Sequence, residues 1–99
     1  MTTSFKEIIS NSIPTLVDFY ADWCGPCKAM APVLEELKAI VGVKARIIKV
    51  NTERNQQLAA SLQIRSIPTL MLYKNGELLW RHSGTASVSD LARIIEQYQ

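Results

Sequence analysis

The chain has 99 residues, of which 47% are hydrophobic and 20% are charged. This length and composition predict one globular domain over residues 1–99 with a single core, and leave no room for a second domain. The 11 basic and 9 acidic side chains are scattered along the chain and give a net charge of +2. The chain therefore lacks the basic patch that nucleic-acid binding requires.

The sequence also bears on the compartment. No apolar stretch has the length of a signal peptide or a membrane span, and residues 1–4 are mostly polar. Two cysteines are too few for the disulfide framework of a small secreted protein. We therefore expect a cytoplasmic protein without membrane contact.

The first expected element is a short helix with Phe5, Ile8 and Ile9 on its apolar face, and Ser4 and Glu7 have the spacing of a capping box at its start. Residues 16–20, Leu-Val-Asp-Phe-Tyr, then suit a buried strand. A Cys-x-x-Cys turn follows directly, and a helix is expected from about residue 27 until the glycine at 42.

The two cysteines thus lie where a strand passes into a helix. The first N–H groups of a helix lack intrahelical acceptors and carry the positive end of its dipole, so a thiolate at Cys24 should be stabilised and nucleophilic. Cys27 is expected to be the more buried sulfur. Its three-residue offset directs it towards Cys24, so it can displace a target that Cys24 has attacked and leave a Cys24–Cys27 disulfide.

Five further elements follow. Residues 45–50 are expected to form a strand parallel to the first one, with a right-handed crossover. Asn55 is the expected cap of a short helix around Leu58, and residues 69–73 and 78–81 are expected to form a hairpin through Asn75 and Gly76, which suit a type I′ turn. Residues 87–98 have the pattern of an amphipathic final helix, capped by the serine at 87 with the aspartate at 90.

These motifs together resemble the thioredoxin family. The similarity covers nearly the whole chain from about residue 4, and it is carried by Val-Asp-Phe-Tyr-Ala at 17–21, Trp-Cys-Gly-Pro-Cys-Lys at 23–28, Ala-Pro at 31–32, Ile-Pro-Thr-Leu at 67–70 and Lys-Asn-Gly-Glu at 74–77. The resemblance implies an α/β thioredoxin fold, with a central mixed sheet flanked by four helices. Family members usually begin with a strand, but only three residues precede Ser4. We therefore expect four strands, with the first family strand absent or vestigial.

The resemblance also assigns roles to residues. Asp18 matches the family's buried proton acceptor, which takes the proton of Cys27, and Lys49 matches the lysine beside that carboxylate. The bond between Ile67 and Pro68 is expected to be cis and to lie against the sulfurs. A shallow substrate groove would be formed by Trp23, Gly25, Pro26, Ile67, Pro68 and Gly84. The chain departs from the family pattern around this surface, since it has tyrosine at 20, where tryptophan is frequent, and serine or threonine at 66, 83 and 85.

Each of these residues also has a purely structural interpretation. Cys24 and Cys27 could be half of a zinc site, but such a site needs about four ligands and His82 is the only histidine, so no metal is expected. Asp18 could face water at a sheet edge, although its apolar neighbours favour burial. Lys49 could be merely solvated. Trp23 could belong to the core.

The function predicted by the resemblance is that of a protein-disulfide reductase, an electron carrier rather than a conventional enzyme. It would act as a monomer without a cofactor on disulfide-containing target proteins, and a thioredoxin reductase would regenerate it. One alternative is a disulfide oxidant or isomerase, which Gly25-Pro26 disfavours because no histidine between the cysteines stabilises the thiolate. The other alternative is a binding module without redox activity, which the presence of Cys24, Cys27 and Asp18 disfavours.

Overall fold

The computed structural model describes residues 3–99, and for Thr3 the backbone alone. These residues form four strands and four α-helices, in the order α1 (Thr3–Ile9), β1 (Thr15–Tyr20), α2 (Gly25–Val41), β2 (Arg46–Asn51), α3 (Gln56–Ser61), β3 (Thr69–Lys74), β4 (Glu77–Ser83) and α4 (Val88–Gln97), with a 3₁₀ turn at Gly42–Lys44. The predicted elements are thus all present. The expectation of an absent or vestigial first strand falls on residues 1 and 2, which lie outside the described range, and on Thr3, which is already helical.

Several boundaries differ from the prediction by one or two residues. The first helix begins at Thr3, so Ser4 lies inside its first turn and the predicted capping box is misplaced. The second helix begins at Gly25, two residues before the expected start, because its first turn accepts a proline whose missing N–H would have no intrahelical partner there. The second strand begins and ends one residue later than expected, at Arg46 and Asn51.

The sheet has the strand order β2-β1-β3-β4. Strand β1 pairs in parallel with β2 and antiparallel with β3, which in turn pairs antiparallel with β4. The central position of β1 explains its apolar sequence, since five of its six residues are buried. The Cys-x-x-Cys turn therefore follows a strand that is paired on both sides.

The sheet is covered on both faces, and the alternation of β1 distributes its side chains between them. Leu16 belongs to a core cluster with Met30, Leu34 and Leu37 of α2 and Leu91 of α4. The opposite cluster consists of Phe5 and Ile9 of α1, Val17 and Phe19 of β1, Leu58 of α3, and Met71 and Tyr73 of β3. Layers of helices on both faces of a mixed sheet confirm the predicted fold class.

The hairpin and the last helix match their sequence signals. Asn75 and Gly76 have φ angles of 54° and 81°, the left-handed conformation that a type I′ turn requires. The Ser87 side chain accepts a hydrogen bond of 3.1 Å from the Asp90 N–H, which confirms the cap of α4. In β4, Trp80 stacks on the His82 ring and packs against the core cluster of α2 and α4.

No helix among residues 3–99 is both long enough and apolar enough to cross a membrane.

Candidate functional site

The two cysteines lie at the junction of β1 and α2. Cys24 is the N-cap of α2, with φ −85° and ψ 114°, and its sulfur accepts a hydrogen bond of 3.2 Å from the Cys27 N–H. The chain reaches this position from β1 through Ala21, which is buried with the two cysteines in one small cluster. The N-cap residue is therefore a cysteine, and its sulfur accepts a hydrogen bond from a backbone N–H of the first helical turn.

The two sulfurs form a disulfide, with their Cα atoms 5.2 Å apart. The structure thus shows the oxidised form of the pair. As whole residues, Cys24 and Cys27 are 3% and 4% exposed, so residue burial does not distinguish them. The expectation that the Cys27 sulfur is the more deeply buried one stays a prediction.

The two cysteines differ in the electrostatic environment of their sulfurs. The sulfur of Cys24 faces the N terminus of α2, whose first turn contains no acidic residue. The helix dipole and the Cys27 N–H both stabilise negative charge at that point. After reduction of the disulfide, these groups favour the thiolate of Cys24.

Asp18 is completely buried in the central strand, with 0% of its surface exposed, which excludes the interpretation as an edge carboxylate that faces water. Within residues 3–99 neither carboxylate oxygen has a hydrogen-bond partner. Burial raises the pKa of Asp18 from 3.8 to about 6, and the charge of Lys49 opposes this rise. The carboxyl group is therefore able to gain and lose a proton close to neutral pH.

Lys49 lies beside Asp18 in the parallel register of β1 and β2. Its side chain is exposed, and its Nζ atom lies 4.7 Å from the centroid of the Tyr20 ring. The only ion pairs among residues 3–99 join other side chains, so Lys49 acts on Asp18 through space and not through a salt bridge. The lysine is thus not ion-paired with the carboxylate, and its exposed side chain contacts the Tyr20 ring.

A pocket of about 220 Å³ lies between Cys27 and the pair formed by Lys49 and Tyr20. It is lined by Tyr20, Ala21, Asp22, Cys27, Lys28, Ala31 and Lys49. Tyr20 and Lys49 line it from the strands, and Cys27, Lys28 and Ala31 line it from α2. Water can therefore reach the surroundings of Cys27 from the side of β2.

The residues predicted for the substrate groove surround the opposite side of the disulfide. The bond between Ile67 and Pro68 is cis, as the resemblance implies, and the Ile67 carbonyl oxygen lies 3.7 Å from the Cys24 sulfur. The Gly84 N–H donates a hydrogen bond of 2.8 Å to the Pro68 carbonyl, so the loop after β4 is attached to this segment. Gly84 has a φ of 102°, which L-residues rarely adopt.

Trp23 is 68% exposed and is therefore not a core residue. It lines a second pocket of about 210 Å³ with Thr52, Ile64, Arg65, Ser66 and Ile67. Gly25 and Pro26 are exposed at the start of α2. The predicted groove residues thus border the Cys24 side of the disulfide, and Asp18 and Lys49 lie on the side of the β1–β2 pair.

Sequence reasoning missed two contributors to this region. Thr52 follows β2, and both its N–H and its hydroxyl donate to the Tyr20 carbonyl, at 2.8 Å and 3.2 Å. Because parallel strands end at the same edge of a sheet, its position just after β2 could have indicated its proximity to the turn after β1. The second contributor is Tyr20, through its contact with Lys49. No sequence pattern indicates this contact, because it depends on the register of β1 and β2.

Comparison with known proteins agrees with this geometry. The family model described as Thioredoxin matches residues 1–97. A thioredoxin of Haemophilus influenzae is 45% identical over 95 residues, which cover 95% of this chain and 89% of that protein. A thioredoxin of Pyropia yezoensis is 44% identical over 96 residues, which cover 96% of this chain and 90% of that protein.

A solved structure gives the same result. The structure of a single-substitution mutant of a thioredoxin from Halobacterium salinarum superposes with a TM-score of 0.88 at 36% sequence identity, and the match covers 99% of this chain and 85% of that one. Family model, relatives, fold and the disulfide at the start of α2 together show that the chain belongs to the thioredoxin family, whose dithiol–disulfide exchange reduces disulfides in proteins.

Proposed function

We propose that Cys24 is the attacking nucleophile and Cys27 the resolving thiol of this exchange. The observation that carries the assignment is the hydrogen bond from the Cys27 N–H to the Cys24 sulfur at the N terminus of α2. The Cys24 thiolate attacks one sulfur of a target disulfide, and the other target sulfur leaves as a thiolate that takes a proton from water. A mixed disulfide then joins Cys24 to the target.

The second half of the exchange needs Cys27 to lose its proton. The Cys27 thiolate attacks the Cys24 sulfur, the bond between Cys24 and the target breaks, and the target sulfur that Cys24 had attacked leaves and is protonated. The target has then gained two electrons and two protons, and the protein contains the Cys24–Cys27 disulfide seen in the structure.

We assign the acceptance of the Cys27 proton to Asp18, with Lys49 modulating its charge. An effective base has a pKa near the working pH, and burial raises the pKa of Asp18 to about 6. The pocket beside Cys27 and Lys49 has room for water that would relay the proton. A carboxylate without a hydrogen-bond partner is expensive to bury, so a role in proton transfer would explain why it is there.

Target binding is assigned to the groove of Trp23, Gly25, Pro26, Ile67, Pro68 and Gly84. A peptide that lies extended along Ile67 would bring its disulfide to Cys24, since the Ile67 carbonyl lies 3.7 Å from that sulfur. The exposed Trp23 ring offers apolar surface at the other end of this path. We further propose that the chain works as one domain and as a monomer in the cytoplasm, and that a thioredoxin reductase regenerates its dithiol.

Reduction of insulin disulfides, with dithiothreitol as electron donor, tests the proposed activity. The wild type should accelerate precipitation of the insulin B chain, and Cys24→Ser should reduce the rate to that of dithiothreitol alone. Val43→Ser introduces the same side chain at an exposed position in the 3₁₀ turn and should retain the wild-type rate. A Cys24→Ser variant that retains activity would overturn the assignment of the nucleophile.

The redox potential separates a reductant from an oxidant of the same fold. Equilibration with a glutathione series should give a value at or below the cytosolic range of about −220 to −260 mV. A value near the strong-oxidant end, about −120 mV, would instead support a disulfide oxidant. A chain that binds proteins but shows no thiol exchange would be a binding module.

A further inference from the structure

The contact between Lys49 and Tyr20 is not used by the exchange described above. The Lys49 ammonium lies 4.7 Å from the Tyr20 ring centroid, within the range of a cation–π interaction. Both side chains line the pocket that opens beside Cys27. Tyr20 is also the last residue of β1, two positions after Asp18, so its side chain projects from the same face of the sheet as the carboxylate.

We propose that Tyr20 is a positioning residue: its ring holds the Lys49 ammonium at the wall of the pocket, close to the Asp18 carboxylate without forming an ion pair with it. Tyr20 also packs against the cluster of Ala21, Cys24 and Cys27, and it would act on the proton acceptor through Lys49. The inference rests on the role proposed for Asp18.

The neighbours of Asp18 leave Lys49 as the principal charge that acts on it. The row of side chains across the sheet is Lys49 on β2, Asp18 on β1, Leu70 on β3 and His82 on β4. The paired Leu70 is apolar, and His82 lies two strands away, where its Nε2 is hydrogen-bonded to the Thr85 carbonyl.

The charged and titratable groups on the helix side are those that line the pocket with Lys49. They are Cys27 and Lys28 of α2 and Asp22 of the turn before it. In the oxidised protein Cys27 is part of the disulfide and does not titrate. The position of the Lys49 ammonium can therefore be tested there without interference from a thiol.

The ring contact decides where the ammonium resides. Without it, the exposed Lys49 side chain gains many solvated conformations, whereas approach to the fully buried Asp18 carboxylate would require loss of its own hydration. Loss of the ring should therefore move the ammonium towards water and away from the carboxylate. Asp18 should then bind its proton more tightly.

Titration of the Asp18 carboxyl carbon by NMR in the oxidised protein tests the proposal. Tyr20→Leu should raise the pKa of Asp18 by at least about 0.3 units, a twofold change in its protonation ratio. Tyr20→Phe retains the aromatic face and should leave the titration unchanged. An unchanged or lowered value in Tyr20→Leu would overturn the proposal.

A double-mutant cycle shows whether the effect passes through Lys49. Lys49→Met should raise the pKa of Asp18 in the same direction, and Tyr20→Leu should add nothing further in the Lys49→Met background. An equal effect of Tyr20→Leu in both backgrounds would mean that Tyr20 acts by burial alone, and would refute the positioning role.

The wild type provides a test that does not depend on a folded variant. Protons on the Lys49 ε-carbon should resonate upfield of those of the other lysines, because the Nζ atom bonded to this carbon lies over the Tyr20 ring. Random-coil shifts would refute the contact itself. Both measurements are made without a target protein, so they can fail while insulin reduction is normal, and insulin reduction can fail while they succeed.

Discussion

Replacement of the buried carboxylate by its uncharged isostere, Asp18→Asn, should stabilise the protein at alkaline pH. In the folded chain, burial raises the pKa of Asp18 from 3.8 to about 6. The unfolded value is about 3.9, so the unfolded state releases this proton first as pH rises. Stability is therefore lost between about pH 4 and pH 6, and the loss is complete above the folded pKa.

The expected gain in stability follows from the difference of about 2 between the folded and the unfolded pKa of Asp18. At 1.36 kcal/mol per unit, ionisation of Asp18 costs the folded state about 3 kcal/mol at pH 8. Asparagine has no such cost, but its amide is buried without an evident partner, which lowers stability by an amount that does not depend on pH. The informative quantity is thus the stability difference between variant and wild type at pH 8 minus that at pH 4. It is expected to be between about 2 and 3 kcal/mol, because Asp18 is already about half ionised in the unfolded state at pH 4.

Urea unfolding of the oxidised proteins, followed by tryptophan fluorescence, measures this difference. Asp22→Asn is the matched control, since it removes the same charge from an exposed position at the rim of the pocket. It should change the pH dependence of unfolding little. If the effect of Asp18→Asn is the same at pH 4 and pH 8, or is more destabilising at pH 8, Asp18 does not carry a buried charge in the folded protein and its role as proton acceptor must be withdrawn.

Three further predictions concern other parts of the chain. In the reduced protein, iodoacetamide should alkylate Cys24 much faster than Cys27, because only the former faces the helix N terminus; peptide mapping measures both rates, and equal rates would contradict the assignment. Cys27→Ser should accumulate mixed disulfides with targets through Cys24, visible on non-reducing gels, whereas wild-type turnover by this variant would exclude Cys27 as the resolving thiol. Arg81→Met should lower the free energy of unfolding by roughly 1 kcal/mol, because the guanidinium donates hydrogen bonds of 2.7 Å and 2.8 Å to the carbonyls of Leu62 and Gln63 after α3. Arg81→Lys keeps the charge but loses the two-carbonyl geometry, so urea unfolding should place it between wild type and Arg81→Met.

Much of this architecture is predictable from local patterns. Asn75-Gly76 indicates the hairpin because few residues adopt positive φ at two successive positions, and Ser87 indicates the start of α4 because a hydroxyl can replace a missing backbone acceptor. The position of Cys24 at a strand-to-helix junction is likewise visible in the hydrophobic pattern. These features depend on residues that are close in sequence.

Features that depend on strand register or on contacts between distant parts of the chain are harder to predict from the sequence. The burial of Cys24 and Cys27 in one cluster with Ala21 depends on the distant Ile67, which packs against them, and a helical offset does not describe such a contact. The placement of Lys49 over Tyr20 follows from the pairing of β1 with β2, and sequence alone does not specify which residues lie opposite one another. Asp18 has no hydrogen-bond partner among residues 3–99, and predicting this would require the positions of all neighbouring side chains.

The central place of β1 has a consequence for how the chain is made. Thr15 pairs with Arg46, 31 residues later, and with Tyr73, 58 residues later, whereas β3 and β4 pair across a two-residue turn. Contacts between distant residues form late because closure of a long loop costs more entropy. During synthesis, both cysteines therefore leave the ribosome well before Ile67, which packs against them, and before β3. The nascent chain should expose its thiols until the C-terminal hairpin docks onto β1.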